Sequence, residues 1–506
     1  MAGSLQSRSW PRIRVILAAL SQRSSSLCRV EFSRPDVPRP SVGARDQALR
    51  LLDRALGPSK VLTGREACER FIRDESEAEG VCPDAVVLAS SAEDLRLALA
   101  AAREAQVPLT PRAAGTGRTG GAVPVAGGIV LLTLGMNGIK EIDSREGIAV
   151  VEPGVVLGDL HRAVEAEGWF YPPDPNSLES CAIGGNVAEN AGGPRAFKYG
   201  VTRDYVLGMD ALLIGGQRLR VGRRTLKGVT GYDVTALLVG SEGTLAVFSE
   251  ITLQLLPKPD AVTTLLCLFP SLQAATQCVA EMTGRARLVP RCIELLDGAT
   301  LEAMRQAGNP IDARAQAMLL IEVDGSEPVC EVEAERVGTA CGAAQALEVL
   351  VARDASQRDR LWSARREMSR AVRRLSKKKL SEDVVVPRQR VTTLIERVQR
   401  SCDGLGVRTL TYGHAGDGNL HVNFLWDEAH ELPNVERAIA ELFVTVIELG
   451  GTLSGEHGIG VLKAPYLPLE QSAELIALQQ DLKRAFDPGN LLNPGKIFPP
   501  SSHRAC

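Results

Sequence analysis

The stretch Ala113–Gly121, "AAGTGRTGG", constrains this chain more than any other. Gly115, Gly117 and Gly120 spell G-x-G-x-x-G, the phosphate-binding turn of a nicotinamide-dinucleotide fold. That fold needs a helix directly after the turn and an acid about twenty residues on for the ribose. Here "AVPVAGGIVLLTL" follows, with a proline, two glycines and β-formers, and the nearest acid is Glu141, beyond that strand. A plain turn fits poorly as well. Glycines without side chains, interspersed with Thr116 and Thr119, expose consecutive backbone N–H groups that cradle an anion. The expectation is a phosphate site that is not built on a Rossmann helix.

A second loop, "PPDPNSLESCAIGGNVAENAGG" (172–193), offers Ser177, Ser180, Gly184, Gly185, Asn186, Asn190, Gly192 and Gly193 as the other half of the cradle. Around the two loops the pattern alternates strand and helix. "AVVLAS" reads as a buried strand. "SAEDLRLALAAAREA" reads as an amphipathic helix with Ser91 as N-cap and acids in its first turn. "VPLTPRA", "GGIVLLTL" and "GIAVVEPG" read as strands and "VLGDLHRAVEAEGW" as a helix. After Pro259 the order becomes strand–helix–strand–strand–helix, an open α+β sheet. The expected organisation is a tail over 1–40, a cofactor domain over 41–259, a substrate domain over 260–450, and a turn-rich segment over 451–506 packing back on the first domain. The fold class is α+β.

A length of 506 residues accommodates two or three domains. A net charge of −3 shows no polyanion-binding surface, so nucleic acid is not an expected partner. No run reaches the roughly 18 apolar residues of a membrane span. The cysteines form no C-x-x-C pair, which argues against an iron–sulfur cluster in this chain and for buried thiols in a reducing compartment. Residues 1–30 carry five arginines and no acid, as a mitochondrial presequence does or as a disordered tail could. The expected location is cytoplasmic, peripheral at an inner membrane if membrane-associated, or mitochondrial if that segment is a presequence.

Three of the six histidines fall in two Gly-rich, acid-containing turns: His414 and His421 in "YGHAGDGNLHVNF", and His457 beside Glu456 in "GTLSGEHGIGVLK". Isolated histidines are usually structural. Two histidines and a carboxylate also suit a divalent cation with an open position, and sequence leaves both readings open. "LWSARREMSRAVRR" reads as a helix with a basic face.

"GTGRTGG", "CAIGGNVAENAGG…KYG" and "GYDVTALLVGSEGTLAVFSEITLQLLPKP" together resemble the FAD-binding half of the vanillyl-alcohol oxidase type, nearest to the glycolate oxidase and FAD-linked D-lactate dehydrogenase branch. The resemblance runs from about residue 45 to "NPGK" at 493–496. It implies non-covalent FAD, since the first loop lacks the His or Cys that attaches flavin in many relatives. It assigns to the cofactor Arg112, Gly115, Thr116, Gly117, Thr119, Gly120, Gly121, Pro173, Asp174, Ser177, Cys181, Gly184, Gly185, Asn186, Asn190, Gly192, Ile251 and Asn493. Lys227 and Tyr232 are weaker candidates near the flavin. It further implies His414, His421 and Glu456 as ligands of a divalent metal (Zn, Mn or Fe), His457 as general base, Arg365 on the substrate carboxylate and Asn419 in the pocket. Asp417, in the same turn, either joins the pocket or only holds the loop. Ser381 stands where D-2-hydroxyglutarate enzymes carry a Lys ahead of the position of Asp383, which favours a small acid. The implied reaction is oxidation of a D-2-hydroxy acid such as D-lactate or glycolate, with electrons leaving to an iron–sulfur subunit, cytochrome, flavoprotein or quinone. A D-2-hydroxyglutarate dehydrogenase and a metal-dependent hydrolase with a phosphate-binding loop are the rivals.

Overall fold

The computed structural model describes residues 37–352 and 354–499. The expected leader or tail through residue 36, and the side chains of Arg366, Arg370 and Arg373 expected on a basic face, lie outside the described residues.

Three larger sheets, besides the short pair Trp169–Phe170 and Leu256–Pro257, organise the rest. The first pairs Val61–Thr63, Ala85–Leu88, Ile129–Leu132 and Leu109–Arg112 in that spatial order, the last three strands parallel. Its two central strands, Ala85–Leu88 and Ile129–Leu132, are short, continuous apolar runs, as expected where helices cover a parallel sheet. The helix Ala92–Ala105 packs on it with Leu95, Leu99 and Ala102 fully buried, and each such leucine contributes about 1.5–3 kcal/mol. Ser91 caps that helix, its Oγ accepting from the Asp94 N–H at 3.2 Å. No helix follows the Gly-rich turn: the chain goes from Leu109–Arg112 through turns to Ile129–Leu132.

The second sheet is antiparallel, in the order Ile139–Asp143, Ile148–Val151, Val247–Gln254, Val206–Leu212 and Arg218–Gly222. Helix Leu157–Ala166 buries Leu157, Leu160 and Val164 against it. The run "CAIGGNVAEN" is helical over Ile183–Glu189 rather than a loop, closed by Asn190 in a left-handed conformation (φ 56°).

From Ala261 a seven-stranded antiparallel sheet begins. Its order is Glu348–Val351, Ala261–Phe269, Ala317–Gly325, Cys292–Asp297, Arg408–His414, Asn419–Trp426 and Lys378–Val385. The sequence pattern left the helices Val391–Leu405 and Leu432–Glu448 unread and missed the helix Gly298–Gln306, which separates two strands read as consecutive. Asp297 starts it, accepting from the Thr300 N–H at 2.8 Å, a short cap inside a mixed run that carries little periodicity.

The C-terminal segment returns to the first sheet. Leu109 N–H donates to Leu491 at 2.8 Å and Asn493 N–H donates to Leu109 at 2.7 Å, extending the sheet edge. Among the described residues the cysteines are free, all buried except half-buried Cys82. No described helix is long and apolar enough to cross a membrane.

Candidate functional site

A cavity of about 630 Å3 runs from the two Gly-rich segments to one face of the third sheet. Its size is that of a cofactor-binding cleft. Backbone builds one end. Gly115, Thr116, Gly117 and Gly121 line it from the first segment and Ser177, Gly184, Gly185, Asn186 and Gly192 from the second. Gly115 sits at φ 74°, and a Cβ there would lie 2.1 Å from the Arg112 guanidinium. The left-handed φ favours glycine there, and any Cβ would also displace the Arg112 guanidinium. Glu189 and Asn186 face the cavity with buried polar atoms that no protein group satisfies. Burial, with Glu242 and Asp74 nearby, holds the Glu189 carboxyl well above its ordinary range. A glycine-built wall with the unsatisfied Asn186 Nδ2 donor suits a phosphate-bearing cofactor.

Side chains build the other end, and strand register places them. Glu294 is directly opposite His414, Tyr412 opposite His421, and His421 opposite Asp383, on four neighbouring strands of the third sheet. Because alternate residues share a face, these groups form one row. His414 Nδ1 makes a short contact with Glu294 Oε1, which fixes the ring and directs Nε2 inward. Arg365, 3% exposed, grips the other Glu294 oxygen through Nε at 2.9 Å and Nη2 at 2.6 Å.

The segment after Gly451 completes the cluster. Asp383 Oδ2 accepts from Ser454 Oγ (2.9 Å) and from the N–H groups of Gly455 (2.8 Å), Glu456 (2.9 Å) and His457 (3.1 Å). Glu242, on the cradle side, accepts from Ile459 and Gly460 N–H at 2.7 Å each. Two buried carboxylates therefore pin this segment at both ends. Thr119 Oγ1 adds a bond to the His457 carbonyl at 3.0 Å. Glu456 Oε1 then lies 3.7 Å from His414 Nε2, 3.5 Å from His421 Nε2 and 3.8 Å from His457 Nε2.

Charges inside this cluster oppose one another. Burial would lower His414, but Glu294 and Glu456 outweigh it and hold the imidazole well above its ordinary value. His421 goes well below, through burial and then the charges of His414 and His457. His457 is also lowered, by burial, against the pull of Asp383 and Glu456. Burial works against the Asp383 carboxylate, yet His457, Lys463 and His421 hold it well below the usual range. His414 Nε2, both His421 ring nitrogens and Glu456 Oε2 are buried with no hydrogen-bond partner. Orphaned nitrogens and a carboxylate oxygen converging within 4.8 Å of one another fit a divalent cation.

The sequence-predicted residues divide by position. Arg365, His421, Glu456 and His457 line the cavity with the cradle residues named above and Arg112. His414 backs the cluster. Asn419 faces Asp383, donating through Nδ2 to its carboxylate at 2.5 Å and to Val384 at 3.1 Å, so it braces the loop rather than lining the pocket. Asp417 accepts from Asn419 N–H at 3.1 Å and holds the same turn.

Several cofactor assignments fall behind the wall. Ile251 is fully buried in the second sheet's core, because the cavity meets that strand only at Ala246–Phe248. Asp174 pairs with Arg195 at 2.9 Å, and the Pro173 carbonyl contacts His161 Nε2 at 3.0 Å. Cys181 packs in the core beside the cavity-lining Ala182. Asn190 accepts from Arg203 N–H at 2.8 Å, and Asn493 donates to Gly121 and Glu242 at 2.9 and 2.7 Å. Gly120 packs under Ala78 and Val461. These residues shape the cradle from outside. Lys227 and Tyr232 lie in an exposed turn, Tyr232 98% exposed, away from the cavity. Sequence reasoning passed over Glu294, Glu242, Tyr412 and the bracing role of Asp383. An acid within the apolar strand "CIELLD" was the available signal for Glu294.

Residues 83–222 match the family model described as FAD binding domain, and residues 258–497 that of FAD linked oxidases, C-terminal domain. The glycolate oxidase subunit GlcD of Bacillus subtilis is 42% identical over 82% of this chain and 89% of its own length. The D-lactate dehydrogenase of Anaerostipes hadrus is 33% identical over 87% and 95%. The solved structure of 4-ethylphenol oxidase from Gulosibacter chungangensis superposes with a TM-score of 0.75 over 93% of this chain and all of its own, at 19% identity, a likeness of fold. The chain belongs to the FAD-linked oxidases, with the fold of the vanillyl-alcohol oxidase type, and is an FAD-dependent oxidoreductase.

Proposed function

We propose that the protein oxidises a D-2-hydroxy acid to the 2-oxo acid and passes the electrons to a separate acceptor. The observation that carries this reading is one cavity joining the backbone cradle to a histidine cluster with a buried arginine at its edge. The relatives named for glycolate and D-lactate support it. FAD, when bound, supplies the two-electron acceptor for the C2 hydride.

The chain's own residues supply the rest. Arg365 faces the cavity with its guanidinium oriented by Glu294, and binds the substrate carboxylate. His457, kept neutral by burial, takes the hydroxyl proton on Nε2. His414, His421 and Glu456 would hold a divalent Zn, Mn or Fe ion, which would lower the pKa of a hydroxyl bound to it. Protons and the cation compete for this cluster, since His414 must be neutral to ligate. Glycolate and D-lactate are the smallest acids that meet these requirements.

The test is an anaerobic visible spectrum of the purified protein during addition of D-lactate, L-lactate, glycolate and D-2-hydroxyglutarate. Bleaching by a D-acid or glycolate and not by L-lactate is the expected result. A flavin that none of these acids reduces removes the reading.

A further inference from the structure

A second cavity, of about 330 Å3, adjoins the first and shares Glu75, Arg118, Ser381 and His457 with it. Arg118 stands at this neck. It is half-buried, and it makes no hydrogen bond or ion pair among the described residues. Its backbone is nevertheless fixed on both sides. Glu75 N–H donates to Gly117 at 3.0 Å, and the N–H groups of Val461 and Leu462 donate to Thr119 at 2.8 and 3.1 Å. A half-buried guanidinium held on a rigid turn, with no partner for its donors among the described residues, is prepared for an anion from outside the protein.

Its position says which anion. Arg118 lines the same cavity as Arg365, Tyr412 and His457, so its guanidinium shares that space with the reacting end. Arg365 lies 5.0 Å over the Tyr412 ring and Lys379 Nζ lies 3.5 Å from its hydroxyl. Arg365 is matched by Glu294 and suffices for one carboxylate. Ser381, whose small side chain sequence reading took as a sign of a small acid, lines both cavities and leaves the neck open. Lys377, Lys378, Lys379 and Lys463 line the second cavity only, whereas Arg118, from the Gly-rich segment opposite, is the cation that lines both.

We propose that Arg118 binds a second anionic group on the substrate, so that the preferred acid is a D-2-hydroxy dicarboxylate. Its reacting carboxylate lies on Arg365 and its distal one on Arg118, at the neck between the cavities. This rests on the 2-hydroxy-acid reading above.

The experiment measures anaerobic flavin reduction by D-lactate, D-malate and D-2-hydroxyglutarate in the wild-type holoenzyme, Arg118→Leu and Arg118→Lys. It also measures the affinities of pyruvate and 2-oxoglutarate from the shift they cause in the oxidised flavin spectrum. A charge-assisted contact corresponds to about a 10- to 100-fold effect. Wild type should reduce with one dicarboxylate at least about tenfold more efficiently than with D-lactate. Arg118→Leu should lose that advantage and its 2-oxoglutarate affinity while D-lactate and pyruvate change less than about threefold, and Arg118→Lys should recover part of it. Equal losses for both acids, or loss of FAD with the preference intact, would overturn the proposal by giving the guanidinium to the flavin. Efficient reduction by D-lactate with Arg118→Leu unchanged overturns it alone, whereas no reduction by any of the acids overturns the underlying reading too.

Discussion

The two ends of the main cavity are built differently. At the cradle the cavity wall is built from two glycine-rich segments, each continuous in sequence, whose backbone lies close to the cavity. At the histidine cluster it is built from side chains of four strands and one returning loop, brought together from positions 294 to 457 and held by the buried carboxylates Glu294 and Asp383. A backbone site depends on conformation at a few glycines. A side-chain site depends on ion pairs that are costly to break singly, because removing one partner leaves a buried charge.

The largest expected effect is at the cluster. His457→Ala should keep its flavin colour and lose about 10²- to 10⁴-fold in turnover, read by stopped-flow reduction. Turnover near wild type would take His457 out of the mechanism. Arg365→Met should raise KM sharply and also lower stability by about 3–5 kcal/mol, since Glu294 loses its guanidinium partner. Adding Glu294→Gln should recover part of the melting temperature, since it removes the unpaired carboxylate but also loosens His414, and leave the KM defect. If the double variant recovered substrate affinity as well, Arg365 would be a structural residue only.

At the cradle, Gly115→Ala should weaken FAD and cost about 1–2 kcal/mol from the left-handed conformation alone, with the metal-ligand cluster intact. FAD titration of the apoprotein and cation content measured on one preparation would separate the two ends. Loss of both together would mean that the ends fold as one unit.

The effect with no expected consequence for turnover concerns pH. His161 lies behind the cradle, pushed down to about 3 by burial. Its folded pKa is depressed, so its stability contribution is complete above the unfolded value near 6.5 and is lost as pH falls towards 3. Between pH 6.5 and 4.5 wild type should lose about 1.4 kcal/mol per pH unit relative to His161→Gln. Parallel melting curves for the two proteins across that range would show that His161 is not held neutral.

The cradle was legible in the sequence because each half is a local pattern. "GTGRTGG" followed by β-formers excluded a Rossmann turn, and the chain does pass to a strand there. Which residues of those segments face the cavity was not legible. Ile251 and Asn493 sit next to cavity-lining neighbours in sequence or space, yet point into the core or brace a carbonyl. His414, His421, Glu456 and His457 could be picked out by clustering, but nothing in their spacing says that Asp383 gathers four donors from residues 454–457.

By itself, the sequence determined the local conformations: glycines where a left-handed turn or close approach leaves no room for a Cβ, Ser91 where a helix begins, and alternation along the strands that bear the histidines. Tertiary structure alone decided strand order, and with it that Glu294 faces His414 and Asp383 faces His421. It also decided that Arg118 stands at a neck between two cavities. The reason is physical. Periodicity and capping act over a few residues, whereas cross-strand neighbours and buried ion pairs depend on which distant segments the hydrophobic core draws together.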